Sequence, residues 1–335
     1  MAVVLVLFLA ALLGFTAHAA GLCAVKAVSE VLTTRRAYML ASFAKAVLWI
    51  MAAMVFVLWL MPGHPASEIF APTFASVLGG FAFGVGAALN GGCAVSTVTR
   101  LGSGEMRMLL TVAGIAVAIA IIDGGWLTAS PSAVPPLQPI SIGGGGLGFA
   151  AALLSAWAAW EAVSLWRKRD PACGFVEGLL HHRWRLSLAA AVIGLANVGI
   201  ALVAGHWAYT GTLRETIGWR IAGRMGPSWL QVALFAALMA GVVISAVLRK
   251  SCVWRCRPKR VWLRNFAGGM LMGFGIVMVP GGNDGLLLDA IPSLSPHAIP
   301  AFAALLAGVA AVLWLSPFFS DVKNVRCEGD ICRDG

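Results

Sequence analysis

Charge is scarce in this sequence. Of 335 residues only 11% are Asp, Glu, Lys or Arg, whereas 60% are hydrophobic. Soluble domains carry about 25% charged residues, so a water-soluble globule of this size is excluded. A mean hydropathy of +0.87 assigns the chain to lipid. No long polar stretch remains for a sizeable soluble domain. No Gly-x4-Gly-Lys-Ser/Thr loop occurs, which leaves direct ATP coupling within the chain unsupported, and soluble catalytic patterns are missing too, so an enzyme is not expected. The first apolar segment, Met1 to Ala20, lacks the basic flank of a signal peptide and reads as a span. Paired C-x2-C spacing is absent as well. The seven cysteines (Cys23, Cys93, Cys173, Cys252, Cys256, Cys327 and Cys332) form an odd set with no His beside them. Mostly free thiols are expected, with no metal and no cofactor.

What is present is a series of apolar stretches near the roughly 20 residues a spanning helix needs. Nine stand out: Met1 to Ala20, Ala37 to Met61, Pro72 to Leu89, Met106 to Thr128, Ile142 to Trp166, Leu186 to Trp207, Trp229 to Leu248, Val261 to Val279 and Ala298 to Phe318. Four pieces too short to cross lie between them: Leu22 to Thr34, Cys93 to Leu101, Thr212 to Arg224 and Asp284 to Ile291. The fold class is therefore an all-α polytopic membrane protein with about nine transmembrane helices and about four broken or re-entrant ones. The net charge of +10 sits in short inter-helix loops, where it signals topology rather than nucleic-acid binding. Basic loops at Arg35-Arg36, Arg100 with Arg107, Arg167 to Arg185 and Arg249 to Arg264 favour the cytoplasm. The N-terminus is then periplasmic and the tail from Asp321 cytoplasmic, in a prokaryotic inner membrane. Arg214, Arg220 and Arg224 fall on the outer side, where they are expected to line a funnel that attracts anions.

An internal repeat organises these pieces. Gly79-Gly80-x3-Gly84-x-Gly86-x4-Gly91-Gly92-Cys93 matches Gly268-Gly269-x3-Gly273-x-Gly275-x5-Gly281-Gly282-Asn283. Small residues are common wherever membrane helices pack closely, but their ordered spacing here marks a duplication. Loop charge runs the two copies in opposite directions. The expected division is residues 1–168 as a first transmembrane repeat, 169–320 as a second, inverted one, and 321–335 as a cytoplasmic tail.

A Gly-Gly pair inside a span frees backbone groups that lipid cannot satisfy, so each break must line a cavity or be buried in protein. A half-helix starting after the break points unpaired N–H groups and a positive dipole end at that cavity, which suits an anion. Cys93 after Gly91-Gly92, Asn283 after Gly281-Gly282, Cys23 after Gly21 and Thr210 before Gly211 all stand at such starts. Weak S–H donors with polarizable sulfur match a soft sulfur-bearing anion better than a hard oxyanion. Asp284 beside Asn283 suits helix capping, proton or cation binding, or selectivity. Arg100, near the cytoplasmic end of its half-helix, is placed to receive the anion beyond the constriction.

Other ionisable residues have plainer readings. Lys26 and Glu30 are spaced to pair with each other, Lys45 to snorkel to the cytoplasmic face, and Asp123 and His297 to be interfacial. The Cys252-x3-Cys256 and Cys327-x4-Cys332 pairs read as incidental cytosolic thiols, with a sulfur-accepting tail dithiol as the functional alternative.

Gly91-Gly92-Cys93, Arg100-Leu101-Gly102-Ser103-Gly104, the Gly268 to Gly275 ladder and Gly21-Leu22-Cys23 together resemble the YeeE/YedE family of sulfur-compound transporters. That resemblance implies an hourglass-shaped inverted-repeat fold and thiosulfate uptake, with cysteines at the constriction passing the ion by S–H hydrogen bonds. Cys23 and Cys93 match two of those cysteines, and Asn283 stands at the third. The expected partners are a small sulfur-containing anion, the bilayer and a small cytoplasmic sulfur carrier. Two alternatives are a membrane thiol oxidoreductase using a Cys23–Cys93 redox pair, and the same fold carrying a selenium compound or another soft anion.

Overall fold

The computed structural model describes residues 1–60, 68–126, 133–134, 144–167, 184–222, 226–252, 259–279, 282–315, 325–328 and 331–334. Each apolar stretch forms a helix. The long ones are α1 (Ala2–Ala20), α3 (Tyr38–Leu60), α4 (Phe74–Asn90), α6 (Met108–Ile121), α7 (Gly144–Arg167), α8 (Leu186–Ala204), α10 (Trp229–Leu248), α11 (Lys259–Met278) and α13 (Ala298–Leu315). The short pieces form α2 (Ala24–Thr34), α5 (Ala94–Gly102), α9 (Tyr209–Ala222) and α12 (Gly282–Gly285). Eight helical stretches are long and apolar enough to cross a bilayer, and Met108–Gly124 is a shorter apolar helix. The chain is a multi-pass membrane protein. Exposed Phe149, Leu153, Trp160 and Trp166 on α7 make the lipid-facing surface explicit, since such side chains face water rarely in patches. Two small β ladders supplement the helices. Strand β1 (Ile69–Phe70) pairs with β2 (Ala133–Val134), and β3 (Val325–Glu328) pairs with β4 (Ile331–Asp334), with Cys327 opposite Cys332.

Helix packing is reciprocal between the two glycine ladders. Helix α4 packs on α11; α4 also packs on α13, as α11 does on α6. Helix α1 packs on α8 and on α10, and α3 packs on α8. A Cβ added at Gly86 would sit 2.5 Å from the Gly268 carbonyl oxygen, and one at Gly275 2.7 Å from that of Gly79. In the repeat alignment Gly79 corresponds to Gly268 and Gly86 to Gly275, so these two contacts exchange under the duplication. The ladders exist because the α4 and α11 backbones touch, and dispersion over such close surfaces replaces the hydrophobic drive that lipid does not supply.

Several ionisable side chains depart from their sequence readings. Glu30 does not pair with Lys26. Its carboxylate accepts from the backbone N–H groups of Tyr38 (3.1 Å) and Met39 (2.9 Å), capping α3. Lys45 does not snorkel. Its ammonium meets Glu161 of α7 at 2.5 Å and Ser187 of α8 at 2.8 Å, because a carboxylate buried in α7 needs a cation more than a lysine at that depth needs water. His18 of α1 bridges Ser103 and Ser245, both at 2.9 Å.

Candidate functional site

Two cavities lie in series, separated by the segment between α8 and α9. The inner one is small and almost wholly apolar, about 70 Å³, and is lined among others by Cys23, Cys93, Tyr209, Asn283 and Asp284. The larger one, a vestibule of about 650 Å³, is lined by Glu68, Asp123, Arg214, Glu215, Asp289 and His297 among others. Trp207 and Ala208 line both and form the partition. The Trp207 indole is latched, donating to the Thr212 hydroxyl at 2.9 Å.

The local sequence explains why the cysteines reach the inner cavity. Helix α1 ends at Gly21, with φ of 64°, and α4 at Gly91, with φ of 75°. This left-handed conformation costs glycine nothing and turns the chain within two residues. Cys23 and Cys93 then occupy the N-cap positions of α2 and α5 in extended conformation. The thiols are free, each 1% exposed, and line the same cavity. Cys23 also donates to the Ser96 hydroxyl at 3.5 Å.

The break at Gly91-Gly92 is braced by residues the sequence reading passed over. The Asn90 amide donates to the Gly92 carbonyl and the Thr97 hydroxyl, both at 2.9 Å, while Thr111 donates to its oxygen at 2.6 Å. Asn90 is fully buried, so this network satisfies backbone groups that lipid would leave bare. Its adjacency to Gly91 was the available signal. Arg100 belongs to the same brace, donating to the Gly91 carbonyl at 3.2 Å and forming a two-pronged pair with Glu105 at 3.1 and 2.8 Å. It lines neither cavity. A guanidinium so engaged is a clamp, which corrects its expected role as a receiver for the anion.

The opposite break is built differently. Asn283 and Asp284 are 6% and 3% exposed and lie in α12, which runs into a π-helical turn, Leu286–Ala290. Gly282 takes the left-handed conformation with φ of 60°, and Gly281 lies outside the described residues. Thr210, in the first turn of α9, donates its hydroxyl to one Asp284 oxygen and its backbone N–H to the other at 3.3 Å. Asp284 thus caps α9 as well as sitting in its own break. Among the described residues the Asn283 side-chain oxygen and the Tyr209 hydroxyl have no hydrogen-bond partner. Tyr209 was missed in the sequence because one of only two tyrosines, set after a broken helix, forms no pattern.

The vestibule overturns the expected anion funnel. Four carboxylates line it against one guanidinium and two histidines. Arg214 is engaged with Asp123 at 3.3 Å, and His206 with Asp289 at 2.8 Å. Arg220 stacks on Trp219 at 4.9 Å, and Arg224 lies outside the described residues. His297 is buried rather than interfacial, its Nδ1 2.9 Å from the Ser295 hydroxyl and its ring edge-on to Phe70.

A bundle of apolar helices that enclose a thiol-lined cavity between broken segments belongs to the class of multi-pass membrane transport proteins. The chain belongs to the sulphur transport family. Residues 19–311 match that family's model, in agreement with the YeeE/YedE resemblance of the glycine ladders. No curated protein matches it.

Proposed function

We propose that the chain takes up a small sulfur-containing anion, thiosulfate foremost, across a prokaryotic inner membrane through a constriction formed by Cys23, Cys93 and Asn283. The observation that carries this reading is the pair of free thiols at two half-helix N-caps, both lining one small cavity. Helix starts direct N–H groups and positive dipole ends inward, favouring negative charge. The polarizable sulfur and weak S–H donors favour a soft one. The Asn283 amide and the Tyr209 hydroxyl add harder donors, suited to the oxygens of an oxyanion that also carries a soft sulfur.

In this reading residues 1–168 and 169–320 are two inverted halves, as the reciprocal contacts of α4 and α11 support. The N-terminus is periplasmic and the 321–335 tail cytoplasmic. A small cytoplasmic sulfur carrier receives the cargo, and the Cys327–Cys332 juxtaposition in the tail ladder suits such a handover.

Labelled thiosulfate uptake into cells without their own sulfate and thiosulfate importers tests the proposal. Wild type takes up label, and Cys93→Ala at matched expression does not. No uptake by well-expressed wild type refutes it. A second reading, a membrane thiol oxidoreductase, draws on the same pair of thiols. It requires a reversible Cys23–Cys93 disulfide and no solute flux, so trapping free thiols with a maleimide before and after oxidation separates the two.

A further inference from the structure

We propose, resting on the transport reading above, that Asp284 is a proton-binding site and that the anion moves together with a proton bound there. Asp284 is nearly sealed from solvent and lines the same small cavity as both thiols. Its oxygens are held by the Thr210 hydroxyl and backbone N–H, and among the described residues no Lys, Arg or His reaches it.

Among the described residues no packed element supplies a countercharge. Helix α9 presents Tyr209 beside Thr210. The starts of α2 and α5 present the thiols Cys23 and Cys93, and neutral Ser42 of α3, Thr99 of α5 and Asn197 of α8 complete the polar lining. The α11 stretch against it, Ile276 to Met278, is apolar. Its own segment carries a second acid, Asp289, which pairs with His206 in the vestibule. Among the described residues, every titratable group facing Asp284 is therefore a thiol, a phenol or an acid.

An anion entering this cavity meets a carboxylate in apolar surroundings, where like charges interact far more strongly than in water. The two are compatible once a proton neutralises Asp284. The geometry accommodates that proton without rearrangement, since the Thr210 hydroxyl donates to a carboxylate and accepts from a carboxylic acid equally well. A metal cation would need several further oxygen ligands, and the mainly apolar lining does not provide them. The vestibule explains the supply. Its acids repel anions but concentrate protons, and Gly285, next to Asp284, already lines it. The cycle is balanced: Asp284 takes one proton from the outer side, the anion binds, and both leave on the inner side.

Purified full-length protein in liposomes with an internal pH dye tests this. An inward thiosulfate gradient acidifies the lumen with one proton per thiosulfate, and an acid outside drives accumulation. Asp284→Asn brings the proton-to-thiosulfate ratio, measured against that variant's own flux, to zero. Wild type in weakly buffered detergent supplies a readout independent of that variant's folding: thiosulfate binding takes up one proton per protein. Wild-type flux without acidification, flux that follows sodium instead, undiminished acidification by Asp284→Asn, or binding without proton uptake each overturns the coupling while leaving transport standing. Absence of any thiosulfate flux overturns the transport reading itself.

Discussion

The breaks after α4 and α11 share their glycine geometry but differ in what holds them and in what they present. The first is fastened by Asn90, Thr97, Thr111 and Arg100, and it presents a soft thiol at Cys93. The second is fastened to α9 through Asp284 and Thr210, and it presents at Asn283 an amide oxygen with no hydrogen-bond partner among the described residues. The shared glycine spacing sets where the backbone opens, while the side chains at each opening differ. One side of the small cavity is thus soft and rigidly braced, the other hard and ionisable, and it is the second that lies against the acidic vestibule.

The comparison breaks most completely where the two ladders touch. Gly86→Leu drives a side chain into the Gly268 carbonyl and is expected to cost about 3 kcal/mol or more, read as loss of a monodisperse peak in detergent. The matching change at Gly275 does the same against Gly79, and a mild result at either would separate the halves energetically. Asn90→Ala removes the brace of the first break only. It should cost about 2 kcal/mol by leaving buried partners bare, visible as a lowered Tm. On transport, Cys93→Ala should lower thiosulfate uptake at least about tenfold, equivalent to about 1.4 kcal/mol, and Asn283→Ala only about threefold. Equal losses would mean that the two openings are chemically equivalent after all. The smallest effect is expected at the periphery. Lys45→Met should cost about 1 kcal/mol, because the lysine is partly exposed, and adding Glu161→Leu should restore most of it, measured by thermal melting.

Much of this was legible in the sequence because lipid imposes a simple rule. Spans must be long, apolar and helical, so all nine apolar stretches from Met1 to Phe318 became helices, and the four short pieces became half-helices or broken turns. The Gly21-Leu22-Cys23 and Gly91-Gly92-Cys93 signals led to N-cap thiols in a shared cavity for the same reason: a left-handed glycine followed by a new helix is a local event. Pairings across the fold were not legible. Spacing on α2 joined Lys26 to Glu30, but the carboxylate turned to the start of α3. Arg214 looked free until Asp123, distant in sequence, met it. Arg100 looked poised for an anion until Glu105 and the Gly91 carbonyl claimed its guanidinium.

By itself, then, the sequence determined that the chain lives in a membrane, where its helices run and break, and that two thiols and an Asn-Asp pair stand at the breaks. Hydropathy, glycine spacing and cap position are properties of neighbouring residues. Only the tertiary structure decided that those breaks converge on one cavity, that the vestibule is acidic rather than basic, and that Asp284 lies in the small cavity with no cation beside it among the described residues. Those facts depend on which helices touch, and contacts between residues far apart in sequence leave no periodic trace in the chain.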